Sequence, residues 1–206
     1  MLMVFLTTIA GFCFLKSNKK NNRLLIAVLL LSSLNEVITL LLQYYKQQAF
    51  IPMLYSISFP LFCLLWLRML YLNQLRKNAT FIFTLFFIIF WMINFIWFEG
   101  TKKFNFYTAT VGSFGYIALF ANESFVQLRK ENFGAILSNT YLLLLSPVLL
   151  FYGFSQMFGF VSRNITQIFI IQNFKLFDLV TEFVNIVYYI IIVIYIILQY
   201  KTAANE

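Results

Sequence analysis

Two apolar stretches of the chain each carry a stripe of polar side chains at helical spacing. The first stripe comprises Ser32, Glu36, Thr39 and Gln43, and the second comprises Asp178, Glu182, Asn185 and Tyr189. In both stripes the spacing repeats every three or four residues, which places the side chains on one face of an α-helix. Because the surrounding residues are apolar, we expect both stripes to turn away from lipid, toward each other or into a shared interior.

The glutamates of these stripes, Glu36 and Glu182, are the strongest candidates for chemistry. At about 1.5 Å per residue, Glu36 lies roughly 18 Å and Glu182 roughly 12 Å from the start of its apolar stretch. Both then lie near the middle of a hydrocarbon core about 30 Å thick. Two carboxylates at one depth, without a lysine or arginine beside them, are not expected to be ionised together. Asp178 is shallower and is expected at the interface, and Thr39 and Asn185 complete this polar set.

The two acids leave three interpretations open. They could be protonated and hydrogen-bonded as polar contacts between helices, they could bind a cation, or they could exchange a proton during transport or sensing.

Histidine, on which many catalytic and metal sites depend, is absent from the chain. Its absence excludes histidine-ligated zinc and haem, Ser-His-Asp and Cys-His nucleophiles, and histidine pH switches. The two cysteines, Cys13 and Cys63, lie inside apolar runs, where a thiol acts as a small packing residue. The sequence therefore predicts a protein that is not an enzyme, with no catalytic residue, metal site or cofactor. A membrane enzyme that acts on lipid through Ser- or Asp-based chemistry is the least favoured alternative.

The composition predicts an all-α integral membrane protein. Of the 206 residues, 62% are hydrophobic and 11% are charged, and the mean hydropathy is +0.83, whereas a soluble domain has about 25% charged residues. Apolar runs between short charged stretches predict one transmembrane bundle of seven helices over residues 1–206. The predicted spans are Leu2–Leu15, Leu24–Gln43, Ile51–Leu72, Thr80–Phe98, Phe106–Phe125, Ala135–Phe160 and Phe174–Tyr200.

The basic residues predict the orientation of this bundle. Ten of the fifteen lysines and arginines fall on one side, which places the N-terminus outside and the C-terminus inside. Abundant Phe, Ile, Asn and Lys indicate an AT-rich gene and hence a bacterial inner membrane. The cytoplasmic face would interact with anionic lipid, or dock a protein partner through Arg23, Arg76, Lys77 and Arg129. Nucleic acid is not expected to bind, because the basic residues are scattered over separate loops.

Two further features concern packing in the fifth span. Gly112 and Gly115 form a small-residue edge that predicts close contact with another helix. Near the inner end of the same span, Glu123 is expected to pair with Arg68 or Arg129.

Several short segments carry a resemblance to known proteins. They are Leu34-Asn35-Glu36-Val37, Asn122-Glu123, Ser146-Pro147 with Phe151-Tyr152-Gly153, and the run from Val184 to Tyr189. With them the chain resembles small seven-helix membrane proteins of AT-rich bacteria, which are related to the membrane input modules of sensor kinases. The resemblance implies a sensory protein that signals through a separate partner. In length and composition alone, the chain is also similar to the small multispanning accessory proteins of type VI-B CRISPR loci, which modulate an RNA-cutting effector.

The leading hypothesis is a non-enzymatic accessory or sensory membrane protein that couples its polar interior to its basic cytoplasmic face. The alternative is a proton- or cation-coupled transporter, or a homo-oligomer that forms a pore with the same acids. A membrane-embedded modulator of a CRISPR RNA-targeting effector in antiviral defence is a further alternative.

Overall fold

The computed structural model describes residues 2–15, 19–75, 77–100, 104–162, 169–171 and 174–204, with side chains other than those of 154–178 and 203–204. The helices are α1 Leu2–Phe14, α2 Lys20–Tyr44, α3 Ile51–Asn73, α4 Lys77–Ile93, α5 Phe106–Arg129, the one-turn α6 Phe133–Ile136, α7 Asn139–Ser162 and α8 Leu176–Ala204. A 3-10 turn, Gln48–Phe50, precedes α3, and a π-helical turn, Asn94–Phe98, continues α4.

The all-α prediction is confirmed, and the chain is an integral membrane protein. Four helical stretches are long and apolar enough to cross a membrane, namely Lys20–Tyr44, Gln48–Asn73, Lys77–Phe98 and Leu179–Thr202. Two further helices have shorter apolar stretches, Leu2–Phe14 and Asn139–Gly153. Large apolar side chains such as Ile82 and Ile89 are more than half exposed, as is typical of residues that face lipid.

Several of the predicted spans need correction at their ends; for example, α2 begins at Lys20 rather than Leu24, and α5 ends at Arg129 rather than Phe125. The sixth, Ala135–Phe160, is divided into α6 and α7, because the Ser138 hydroxyl accepts a hydrogen bond from the Tyr141 backbone N–H (3.2 Å) and so caps a new helix. The seventh begins at Leu176 rather than Phe174, because Phe174–Lys175 forms a strand, β2, paired antiparallel with β1, Phe169–Ile171.

The helices close into a ring in the order of the chain. Helix α1 contacts α2, α2 contacts α3, and the succession continues through α4, α5, α7 and α8 back to α1. Phe14 and Tyr200 stack edge to face across the α1–α8 contact (5.2 Å), and the Tyr195 hydroxyl donates to Asn22 Oδ1 (2.9 Å) across α8 and α2. Helix α3 also packs against α5 and α7, so it lies toward the centre of the bundle.

A cluster of aromatic rings fills the centre of this ring of helices. Trp66, Tyr116, Phe151 and Tyr188 are at most 1% exposed and come from α3, α5, α7 and α8. The Tyr116 and Phe151 rings lie 5.1 Å apart and the Trp66 and Tyr188 rings 6.2 Å apart, both edge to face, while Phe62 contacts Phe151 at 6.0 Å. Edge-to-face contacts between aromatic rings stabilise this arrangement beyond the burial of apolar surface alone. We call these five residues the aromatic core.

Two prolines interrupt the backbone hydrogen bonds of helices that pass through this core. Pro60 removes the donor that would bond the Ser56 carbonyl, and Pro147 does the same for the Leu143 carbonyl. Side chains replace both donors: the Trp91 indole N–H donates to the Ser56 carbonyl (3.2 Å) and the Ser146 hydroxyl to the Leu143 carbonyl (2.8 Å). The freed carbonyls are therefore satisfied inside the bundle, as a membrane environment requires.

The predicted small-residue edge of α5 is confirmed by its contacts with α4. A Cβ at Gly112 would lie 2.9 Å from the Phe87 ring and 3.1 Å from Cys63 Sγ, and a Cβ at Gly115 would overlap the Phe83 ring. Both glycines are therefore needed for α4 and α5 to approach as closely as they do.

We expect Gly112→Ala and Gly115→Ala each to lower the free energy of unfolding by about 1–3 kcal/mol, because the new methyl group overpacks the α4–α5 contact. Gly134→Ala is the matched control, since nothing lies within 4 Å of its Cβ position. The measurement is the thermal unfolding midpoint of each purified variant in one detergent. Equal midpoints for all three variants would contradict the packing described here.

Candidate functional site

A cavity of about 450 Å³ lies in one half of the bundle, and we call it the aromatic cavity. It is formed by the second half of α2, the first halves of α3, α5 and α8, and the middle of α7. Its lining consists of Ser32, Asn35, Glu36, Tyr55, Ser58, Phe59, Phe62, Phe104, Phe106, Ala109, Thr110, Leu150, Thr181, Asn185, Tyr188 and Tyr189. Because successive helices run in opposite directions, these segments meet at one end of the bundle.

The polar stripes of α2 and α8 meet in this cavity. Glu36 and Ser32 line it from α2, and Asn185 and Tyr189 line it from α8. The cavity therefore brings together four of the eight residues in the two predicted stripes.

Glu182 does not join Glu36, which corrects the expectation of two carboxylates in one place. Its side chain is exposed and does not line the aromatic cavity. The face of α8 that lines the cavity carries Thr181, Asn185, Tyr188 and Tyr189, and one residue along an α-helix rotates a side chain by about 100°. Glu182 therefore flanks this face instead of belonging to it.

The other two members of the polar set have different surroundings. The Thr39 hydroxyl donates to the Tyr55 hydroxyl at 3.5 Å, a long hydrogen bond between α2 and α3 at the edge of the cavity. The side chain of Asp178 lies outside the described residues.

Two hydroxyl groups in the lining lack a hydrogen-bond partner within the described part of the chain. They are Ser58 Oγ and the Tyr188 hydroxyl, on residues that are 4% and 1% exposed. Unpaired buried hydroxyls are uncommon, because they lose hydrogen bonds to water without replacement.

Glu99, which the sequence analysis did not single out, fixes the wall of the cavity that α5 provides. Its carboxylate accepts the backbone N–H of Phe106 (2.8 Å) and of Tyr107 (3.2 Å), and its second oxygen accepts the side-chain amide of Asn94. A carboxylate at these first N–H groups also interacts favourably with the helix dipole. The available signal in the sequence was a glutamate shortly before a predicted helix. Because Glu99 lies seven residues before Phe106, its capping role could not be recognised from the sequence.

The opposite end of the bundle holds a second, smaller cavity of about 180 Å³. Glu123 lines it and is 5% exposed. Its carboxylate accepts the Leu75 backbone N–H (3.2 Å) and Gln127 Nε2 (2.7 Å), so it bonds to neutral donors rather than to the arginines expected from the sequence. The guanidinium of Arg68 instead lies 5.6 Å from the centre of the Tyr71 ring. Glu123 thus connects the end of α3 to α5.

Three of the four candidate docking residues lie at this second end, which we call the basic end. Arg23 is near the start of α2, Lys77 begins α4 and Arg129 ends α5, and all three side chains are exposed. Arg76 lies outside the described residues. The basic end and the aromatic cavity therefore occupy opposite ends of the bundle.

The aromatic core lies between the two cavities. Trp66 on α3 lies between Phe62, which lines the aromatic cavity, and Leu70, which lines the smaller one. The Tyr116 hydroxyl donates to the Leu144 carbonyl (2.9 Å), which fixes α5 to α7 at the same level. Closely packed rings thus separate the two polar regions.

Comparison with protein-family models, curated proteins and solved structures finds no match to this chain. The function is therefore argued from the geometry of its own residues.

We expect Glu99→Gln to lower the free energy of unfolding by about 1–3 kcal/mol, because a carboxamide has one acceptor oxygen and Glu99 uses two. Faster hydrogen exchange at the amides of Phe106 and Tyr107 should accompany this loss. Glu131→Gln is the control, since Glu131 is an exposed acid beyond the other end of α5. Unchanged exchange at both amides in Glu99→Gln would contradict the capping role.

Proposed function

We propose that this chain is a non-enzymatic sensory or accessory membrane protein, in which a ligand in the aromatic cavity controls the conformation of the basic end. The observation that carries the proposal is the meeting of Glu36, Asn185 and Tyr189 in one cavity, at the far end of the bundle from Arg23 and Lys77. A cavity of about 450 Å³ is within the range of small-molecule sites.

In this proposal the seven helices other than the one-turn α6 all cross the inner membrane of a bacterium. The N-terminus is outside, so the aromatic cavity belongs to the outer half of the bundle and the basic end faces the cytoplasm. The clustering of Arg23, Lys77 and Arg129 at one end supports this orientation. The resemblance to membrane input modules of sensor kinases agrees with it.

Helix α3 is the element that would carry the signal. In the aromatic cavity it presents Phe62, whose ring contacts Tyr188 of α8 (6.3 Å) and Trp66 (6.3 Å). A ligand that displaces Phe62 or Tyr188 must also displace the other rings of the aromatic core, because closely packed interiors have little free volume.

The far end of α3 is connected to the parts of the chain that carry the basic residues. The side-chain amides of Asn73 and Asn21 exchange two hydrogen bonds (3.0 and 3.1 Å), and Asn21 lies two positions before Arg23. The Leu75 N–H is held by Glu123, on the same helix as Arg129. A shift of α3 would therefore move the basic residues, and a cytoplasmic protein partner bound to them would receive the signal.

A substitution that fills the aromatic cavity should alter the basic end even without a ligand. Ala109 lines the cavity, whereas Ala118, on the same helix, is exposed. We expect Ala109→Phe to change hydrogen exchange at Leu75 and the first turn of α4 by at least about fivefold, the lower bound for typical coupling between sites. Ala118→Phe should leave both unchanged. The readout is exchange mass spectrometry in lipid nanodiscs.

If Ala109→Phe does not fold, the smaller substitution Ala109→Leu provides the same test. Unchanged exchange at the basic end in both folded variants would overturn the proposed coupling.

The second candidate is a proton- or cation-coupled transporter, favoured by the two polar cavities at opposite ends of one bundle. Each contains a carboxylate, Glu36 in one and Glu123 in the other. Transport would require the aromatic core to open toward each side in turn, and a pore would require an oligomer.

Flux measurements separate the two candidates. The sensory proposal predicts that proteoliposomes containing the wild-type protein take up protons and monovalent cations no faster than empty liposomes. Uptake that falls in Glu36→Gln but not in Glu182→Gln would favour the transporter instead, because only Glu36 lines the aromatic cavity.

A further inference from the structure

The lining of the aromatic cavity combines rings with a single charge. Aromatic side chains make up seven of its sixteen residues: Tyr55, Phe59, Phe62, Phe104, Phe106, Tyr188 and Tyr189. Among the described residues that line it, Glu36 is the one with a formal charge, and lysine and arginine are absent. The cavity therefore favours positive charge and disfavours anions.

The carboxylate and the rings favour the same class of ligand. A carboxylate in a mostly apolar site is stabilised by a cation, and the negative faces of aromatic rings attract the same charge. Inorganic cations such as Mg²⁺ and Ca²⁺ prefer a shell of oxygen ligands. Rings suit instead a cation whose charge is carried by an ammonium group with carbon substituents.

The size of the cavity also points away from a bare ion. Its volume of about 450 Å³ greatly exceeds the roughly 30 Å³ that one water molecule occupies in the liquid. A ligand that fills it must be a multi-atom molecule with an apolar part to contact the rings.

A hydrogen-bonding side chain lies beside the rings. Asn185 lines the cavity and is only partly buried, so its amide can donate to an oxygen of the ligand or accept from its ammonium group.

We propose that the aromatic cavity binds an organic monocation, an amine or quaternary ammonium with an apolar substituent, whose charge lies between Glu36 and the surrounding rings. The inference deepens the proposed function, on which it rests, by naming the chemical class of its ligand. The Asn185 amide would orient the ligand.

The probe for this proposal is benzyltrimethylammonium, which combines a quaternary charge with one ring. Binding is measured by titration calorimetry on the protein in nanodiscs, with empty nanodiscs as the blank. We expect saturable binding to the wild type, and no binding of benzoate, the anion of similar size.

Matched variants then test whether the Glu36 carboxylate and the aromatic rings of the cavity contribute to binding. Glu36→Gln should weaken binding about tenfold or more, whereas Glu182→Gln, which removes an exposed acid outside the cavity, should change it less than about twofold. Tyr55→Leu should weaken binding about threefold to tenfold, whereas Tyr44→Leu, at a residue 80% exposed, should have no effect.

Two results would overturn the proposal: no saturable binding to the folded wild-type protein, or binding that is equal in Glu36→Gln and the wild type. The hydrogen-exchange measurement on Ala109→Phe needs no ligand, so it tests the coupling to the basic end independently of the ligand class. If Ala109→Phe alters the basic end but the probe does not bind, the ligand class is wrong and the coupling stands. If the probe binds but neither it nor Ala109→Phe alters the basic end, the coupling is wrong.

Discussion

Inside a membrane, every backbone carbonyl that a proline frees must find a donor within the protein, and in this bundle that constraint organises the packing of α3. The Ser56 carbonyl, freed by Pro60, takes its hydrogen bond from Trp91 of α4. The hydroxyl of the same serine accepts the Asn105 backbone N–H (3.0 Å) and so fixes the start of α5. Three helices are joined at one residue, and the cavity walls on α3 and α5 keep their position as a result.

The bundle separates two kinds of interior. Rings in edge-to-face contact fill its middle, while amides, hydroxyls and one carboxylate at each end line the two cavities. A rigid middle with polar ends suits the transmission of a small displacement, because packed interiors shift between arrangements rather than deform continuously. The same middle opposes the passage of ions. This contrast is the physical basis for preferring a sensory function to transport.

Periodicity was sufficient to predict most of the helices and the side of α2 on which Ser32 and Glu36 line the cavity, but Gln43, at the end of the same stripe, is exposed. On α8 it was right for Asn185 and Tyr189, but it included the exposed Glu182 and missed Thr181 and Tyr188, which also line the cavity. The break before α7 depends on a single hydroxyl, Ser138, and the capping role of Glu99 depends on a turn. Contacts of this kind are set by the folded backbone, and hydropathy does not record them.

The closed ring has a consequence for how the protein is made. Its closing contacts join Phe14 to Tyr200 and Asn22 to Tyr195, residues that a ribosome synthesises many seconds apart at about 5–20 residues per second. Until α8 is inserted, α1 and α2 must remain in the bilayer with the polar side of α2 uncovered. That side carries Glu36, so the nascent protein needs lipid, water or the insertion machinery to shield this acid until its last helix arrives.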